Sequence, residues 1–195
     1  MRFLQQCAVM SSALVWAVSA AAQPVTVADV KYAPTVTLAG SELPLNGAGV
    51  RYKTVVKVYT AGLYLEKQTK TPAEIAALKG PKRLSITMLR EIDSTELGKL
   101  FARGIEDNMD KAAFSKLIPG VLRMSQIFSD HKKMQPGEQF MIDWIPGTGT
   151  VITVKGQVQG EPFKESAFFD ALLGIWLGPV PADWKLKEAL LGKPA

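Results

Sequence analysis

The run from residue 49 to residue 65 constrains the fold more than any other part of this sequence. It is dense in Val, Tyr and Thr, which are residue types that favour β-strands. Strand alternation places one set of side chains on one face and the residues between them on the other. The first set is Arg51, Lys53, Val55, Lys57, Tyr59, Ala61 and Leu63. Because neither face is uniformly polar, we expect a central strand with one side lining a space of mixed character.

Helix and turn signals predict the remaining elements. The helices are expected to begin at Thr71, Asp93, Glu165 and Asp183, where capping residues or a first-turn proline precede apolar periodicity. Other strands are expected at 25–30, 36–38, 84–89, 139–145, 150–154 and 157–159, with turn-rich segments at 43–47 and 146–149. This order predicts an α+β fold with a mostly antiparallel sheet.

The first 22 residues have the pattern of a secretory signal peptide. Arg2 precedes a mostly apolar run at 8–21, and small residues at 20–22 come before Gln23. The run is short for a bilayer span of about 20 residues, so cleavage is favoured over a membrane anchor. We therefore expect a signal peptide at 1–22, a single domain at 23–195 and a periplasmic or secreted protein. No integral membrane span is expected after cleavage.

Composition excludes several kinds of site. The chain has one Cys (Cys7) and one His (His131), which cannot form a disulfide or a Cys/His metal cluster. It lacks a phosphate-binding loop, a dinucleotide fingerprint and a G-x-S-x-G motif. The net charge is +5, but Lys and Arg are spread along the chain rather than clustered. We expect no cofactor, no metal and no nucleic-acid partner, whereas a small apolar or anionic ligand remains possible.

Three parts of the sequence together resemble the chalcone isomerase superfamily. They are 45–51 with 57–65, the helix at 94–108, and 165–174 with 181–191. The match covers most of 36–192, and the ending Ile175-Trp176-Leu177-Gly178 looks most like the exported bacterial chalcone isomerase-like branch. The resemblance implies a large antiparallel sheet packed by helices on one side, with a ligand cleft between sheet and helices.

The resemblance also implies which residues face that cleft. The plant enzymes close a flavanone ring, which needs a cation for the phenolate and hydroxyls for the developing enolate. Arg51 matches the cleft arginine, and Tyr59 stands where the enzymes have a threonine. The enzymes' Tyr, Lys, Asn and C-terminal Thr or Ser correspond here to Glu96, Lys99, Arg103 and Ala171. The cation is kept and most hydroxyls are lost, which weighs against chalcone isomerase activity.

A non-catalytic, fatty-acid-binding branch of the superfamily pairs an arginine with a tyrosine at positions resembling Arg51 and Tyr59. A guanidinium with a phenol suits a carboxylate, because the contact is bidentate and charge-assisted. The expected ligand-binding residues are Arg51, Tyr59, Lys99 and Arg103, and the expected ligand is a small apolar anion such as a fatty acid. Two alternatives stay open. One is an isomerase (intramolecular lyase) acting on a phenolic or enone substrate through Arg51, Tyr59 and Lys99. The other is a structural or partner-binding role with the cleft filled by side chains.

A site shared by Arg51 and Tyr59 depends on a turn between them. On one straight strand, eight residues would separate the two side chains by about 26 Å, too far for one small head group. The prediction therefore requires a turn near Tyr52-Lys53-Thr54, so that the two residues lie on neighbouring strands.

Overall fold

The computed structural model describes residues 23–193, which form an α+β fold around a seven-stranded antiparallel sheet. The strands are β1 (Val25–Val27), β2 (Val30–Tyr32), β3 (Thr35–Leu38), β4 (Ser41–Lys53), β5 (Val56–Leu65), β6 (Lys82–Met88), β7 (Ile92–Asp93), β8 (Lys133–Met134), β9 (Gln139–Ile145), β10 (Gly149–Val154) and β11 (Gln157–Val158). The helices are α1 (Pro72–Ala77), α2 (Ser94–Glu106), α3 (Lys111–Ser129), α4 (Ser166–Leu177) and α5 (Trp184–Leu190). The sheet has the order β11-β10-β9-β6-β5-β4-β3, which confirms the predicted fold class.

The two faces of the sheet are covered differently. The main core lies between one face and the helices, where Phe101 of α2 packs against Phe128 of α3, Trp176 of α4 and Phe140 of β9. The opposite face carries a smaller cluster that includes Tyr32 from the β1–β2 hairpin. Helices therefore pack on one side of the sheet, as predicted.

The run at 49–65 is divided between two strands. Thr54 and Val55 form the turn between β4 and β5, and Thr54 has a φ of 59°. Arg51 and Tyr59 are paired across this hairpin, so the turn that the shared site requires is present. The expectation of one continuous strand over this run is therefore wrong. A turn built on a left-handed residue that is neither glycine nor proline leaves little signal in the sequence.

The predicted turn at 43–47 is also wrong, since these residues belong to β4. A register shift falls between Leu45 and Gly47, where the strand accommodates Asn46. The Asn46 side chain donates to the carbonyl oxygen of Leu190 at 2.7 Å and accepts from the Thr69 amide at 2.7 Å. The turn-forming residue types in this segment therefore form a β-bulge, and the Asn46 side chain makes tertiary contacts from it.

The longest helix, α3, has no counterpart among the predicted elements. Asp110 caps its first turn by accepting from the Ala113 amide at 2.9 Å. Pro119 and Gly120 lie inside the helix, although this pair ordinarily indicates a break. A Cβ at Gly120 would lie 2.9 Å from Cε2 of Phe168, so the glycine permits close packing of α3 on α4. Tertiary packing thus maintains a helix that local signals argue against.

The other predicted helix starts are confirmed. Thr71, Asp93, Glu165 and Asp183 are the N-cap residues of α1, α2, α4 and α5. The hairpin turn at 146–149 is confirmed between β9 and β10. The predicted signal peptide at 1–22 lies outside the described residues. Within residues 23–193, none of the helices has the length and apolar character needed to cross a bilayer.

Candidate ligand-binding cleft

A cavity of about 170 Å³ lies between the β4–β5 hairpin, α2 and the segment that joins α4 to α5. Val58, Leu97, Phe101 and Ile175 contribute to its largely apolar wall. The charged or phenolic side chains that line it are Arg51, Tyr59, Arg103 and Asp107. The structure therefore combines an apolar space with a few polar groups, which is the usual composition of a small-molecule site.

Arg51 and Tyr59 are brought together by the register of the hairpin. Cζ of Arg51 lies 5.8 Å from the centre of the Tyr59 ring. Arg51 is half-buried, and no carboxylate forms an ion pair with it among residues 23–193. The nearby Asp183 is engaged elsewhere, accepting from the backbone amides of Tyr52, Lys185 and Leu186 at 2.7–3.1 Å. The guanidinium charge is thus available to a ligand.

Tyr59 is buried, with 5% of its surface exposed. Its hydroxyl oxygen accepts a hydrogen bond of 2.8 Å from Nε1 of Trp176, which fixes the position of the phenol. Burial raises the pKa of Tyr59 to about 12, and the charge of Arg51 offsets part of that rise. The phenol is therefore neutral at physiological pH, and the hydroxyl proton is not used by the bond that it accepts from Trp176.

The two predicted helix cations are placed differently. Arg103 is exposed on α2 and lines the cavity, whereas Lys99 is exposed on the same helix and is not among the lining residues. Lys99 precedes Arg103 by four residues, or about 400° of rotation, so the two side chains point about 40° apart around the helix axis. Lys99 lies on the side of Arg103 away from the other α2 residues that line the cavity. Arg103 already stands at the edge of the cavity-facing arc. Lys99 therefore falls outside it, so the structure brings Arg51, Tyr59 and Arg103 to the cavity but not Lys99. The ligand-binding role of the four residues stays a prediction.

The positions that correspond to the enzymes' hydroxyl residues do not complete a polar network in this cavity. Ala171 packs against the main core. Glu96 lines an adjoining groove of about 270 Å³, which shares Arg51 with the cavity and also contains Lys53 and Arg90. Its other charged residues are Glu91 and Asp93, so the groove carries both positive and negative side chains.

Two features of the site were not predicted as functional. Trp176 was part of a family-like ending, but its hydrogen bond to Tyr59 spans 117 positions in the chain. The other feature is the wall formed by Val180, Pro181 and Ala182. Asn108 holds this segment by accepting from the Val180 amide and donating to the Val180 carbonyl, both at 2.8 Å. Both features depend on hydrogen bonds between residues 72 and 117 positions apart, which local sequence patterns do not indicate.

These features define an α+β protein with a ligand-sized cleft between sheet and helices and an arginine–tyrosine pair in its wall. A family model described as chalcone isomerase-like matches residues 24–192. The chain belongs to the chalcone isomerase-like family.

A comparison with solved structures gives the same fold. The chain is similar to the crystal structure of a fatty-acid binding protein from Arabidopsis thaliana, with a TM-score of 0.68 and 15% sequence identity. The similarity covers 87% of this chain and 96% of the Arabidopsis chain. At this identity the likeness establishes the fold. No curated protein matches the sequence.

Proposed function

We propose that this protein is a non-catalytic carrier or sensor of a small apolar anion such as a fatty acid. The observation that carries the proposal is the position of Arg51 beside the neutral Tyr59 phenol in the wall of an apolar cavity. A carboxylate held there could accept from the guanidinium and from the phenol, while its hydrocarbon part contacts the apolar wall. The described binding of fatty acid by the Arabidopsis structure supports this choice of ligand.

The size of the cavity limits the ligand. An engineered protein cavity of about 150 Å³ holds one benzene molecule, so the 170 Å³ here corresponds to about six carbon atoms. A six-carbon acid is therefore the natural first probe. We expect affinity to rise with chain length up to about six carbons and then to level, unless longer chains move the wall at 180–182.

Catalysis of chalcone cyclisation is not expected. Glu96 and Ala171 provide no hydroxyl at the positions that correspond to those of the enzymes, and neither residue lines the cavity. A kinetic assay with a chalcone should show no rate beyond the uncatalysed one. Enzyme-dependent turnover would favour the isomerase alternative instead.

Calorimetric titration with hexanoate tests the proposed head-group site. Removing the charged partner in Arg51→Gln should weaken binding by about 10- to 100-fold, since a hydrogen bond to a charged group contributes about 1.5–3 kcal/mol. Lys31→Gln is the matched control, because Lys31 is exposed on β2, away from the cleft. Hexanamide should bind at least tenfold more weakly than hexanoate. Equal binding of the acid and the amide would refute an anion site.

The same titration separates the two helix cations. Arg103→Gln should weaken hexanoate binding more than Lys99→Gln, because only Arg103 lines the cavity. A larger effect of Lys99→Gln would mean that the ligand leaves the cavity and extends over the outer surface of α2. Native mass spectrometry of protein purified without detergent should in addition reveal a co-purifying acyl chain.

We also propose that the protein acts outside the cytoplasm, as a member of an exported bacterial branch of the family. The support is the sequence pattern of residues 1–22. Sequencing the N-terminus of protein from a periplasmic or secreted fraction should give a start near Gln23. An intact Met1 in cytoplasmic protein would overturn this localisation.

A further inference from the structure

Exposed apolar side chains are concentrated at the end of the molecule where the cleft opens. Tyr52, Val55 and Val56 are exposed at the tip of the β4–β5 hairpin, and Val180 and Trp184 are exposed beside it. Val55 is 84% exposed and Trp184 is 60% exposed. We call these five residues the cleft-rim patch. Apolar side chains clustered in this way indicate an interaction surface, whereas scattered ones would not.

The geometry of α5 explains why the patch is continuous. This helix runs antiparallel along β4, with Leu190 near Asn46 and Leu186 near Gly49. At its N-terminus, Asp183 accepts from the Tyr52 amide at 2.8 Å. Trp184 is therefore held next to the hairpin end, and Val180 lines the cavity itself. The patch borders the opening of the cleft.

Lysines flank the patch on the hairpin side and on the α5 side. Lys53 and Lys57 flank the hairpin tip, and Lys185 and Lys187 follow Trp184. Lys187 is half-buried, with its Nζ 4.8 Å from the centre of the Trp184 ring and donating to the Gly178 carbonyl oxygen at 2.8 Å. The carboxylate of Asp183 accepts from backbone amides, and the acids Glu91, Asp93 and Glu96 lie in the adjoining groove. Apolar and aromatic side chains with surrounding lysines are complementary to the headgroup region of an anionic lipid bilayer.

We infer that the cleft-rim patch docks this protein on an anionic membrane surface, with the opening of the cleft facing the lipid. Trp184 and the valines enter the interface between headgroups and acyl chains, and the exposed Lys53, Lys57 and Lys185 contact lipid phosphates. The docked orientation places Arg51 where an amphiphile leaving the bilayer would first meet the cleft. Docking does not depend on the proposed binding of an anion in the cavity. Because docking is measured without added fatty acid, a failure of one proposal is distinguishable from a failure of the other.

Sedimentation with vesicles tests the inference on the protein as isolated from cells. Vesicles of phosphatidylcholine with about one third phosphatidylglycerol should bind it, and vesicles of phosphatidylcholine alone should bind much less. Each lysine near an anionic surface contributes about a fivefold gain in partitioning, so Lys53→Gln with Lys57→Gln should reduce it about 25-fold. High salt should release the protein, because ionic screening shortens the range of these attractions to about 3 Å at 1 M.

Tryptophan fluorescence gives a readout specific to the patch. Anionic vesicles should shift the emission of the parent protein to shorter wavelength, and Trp184→Phe should abolish most of the shift. Leu122→Ser is the matched control, because Leu122 is 65% exposed on α3, away from the patch. This control should bind vesicles like the parent. Circular dichroism of each variant establishes that it is folded.

Three results would overturn the inference. One is equal binding to neutral and anionic vesicles. Another is undiminished binding of both the lysine variant and Trp184→Phe, which would place the contact elsewhere in the chain. The third is that the protein does not bind vesicles but self-associates, and that Trp184→Phe abolishes the self-association. The patch would then be an interface between two copies of this chain.

Discussion

Removing one oxygen atom from Tyr59 should destabilise the fold measurably. In Tyr59→Phe the ring remains, but Nε1 of Trp176 loses the acceptor that lies 2.8 Å away. Trp176 is only 1% exposed, so water has little access to the orphaned N–H. A buried donor left without a partner costs about 1–3 kcal/mol. For a domain of this size, Tm should fall by about 2–4 °C for each kcal/mol lost.

Urea unfolding followed by far-UV circular dichroism measures this loss, and Tyr64→Phe is a matched control on the same strand. Tyr64 is also buried, but within residues 23–193 its hydroxyl has no hydrogen-bond partner. Because no hydrogen bond is lost, its replacement should cost less than the about 1–3 kcal/mol expected for Tyr59→Phe.

A double-mutant cycle isolates the contribution of the bond. Once Trp176→Phe has removed the indole N–H, the further change Tyr59→Phe should cost little. If Tyr59→Phe costs the same with and without the indole, or no more than Tyr64→Phe, the argument from the buried hydrogen bond is refuted.

Three further predictions concern the titration of Tyr59, two helix glycines and a buried ion pair. The raised pKa of Tyr59, about 12 against about 10 unfolded, means that its contribution is complete below pH 10 and is lost as pH rises towards 12. Urea unfolding between about pH 10 and pH 12 should show that the free energy of unfolding falls more steeply with pH in the parent protein than in Tyr59→Phe. The two slopes should differ by up to about 1.4 kcal/mol per pH unit, and equal slopes would contradict this. Gly174→Ala should stabilise α4 by about 0.5–1 kcal/mol in thermal unfolding, since its Cβ would lie 3.7 Å from that of Asn108. Gly104→Ala should gain less or lose stability, because its Cβ would lie 3.0 Å from Ile175, and an equal gain would count against the packing argument. Arg83→Leu should cost about 3 kcal/mol, because two bonds of 2.7 Å tie Arg83 to the buried Asp143, and further replacement of Asp143 by Leu should recover most of the loss in urea unfolding.

Features that depend on neighbouring residues were predictable from the sequence. The caps at Thr71, Asp93 and Asp183 accept hydrogen bonds from amides two or three positions later, so the necessary atoms lie within one turn of chain. The hairpin turn at 146–149 is specified by Pro and Gly between alternating strands. The antiparallel α+β class follows from the order of such local elements.

Features that depend on distant residues were decided by the tertiary structure. The sequence indicated Arg51 and Tyr59 as candidates, but their pairing requires a turn at Thr54. Thr54 has a left-handed backbone conformation, which is usually indicated by a glycine and here is not. In the same way, α3 continues through Pro119 because its apolar side chains pack against the core, and a bulge absorbs the turn-like residues of β4. Helix preferences differ by up to about 0.7 kcal/mol for ordinary residues, and a proline inside a helix costs about 3 kcal/mol. Burial of one large apolar side chain contributes about 1.5–3 kcal/mol, and α3 buries four apolar side chains. Where the two conflict, packing decides the local structure, and it also determines which of the predicted cations reach the cleft.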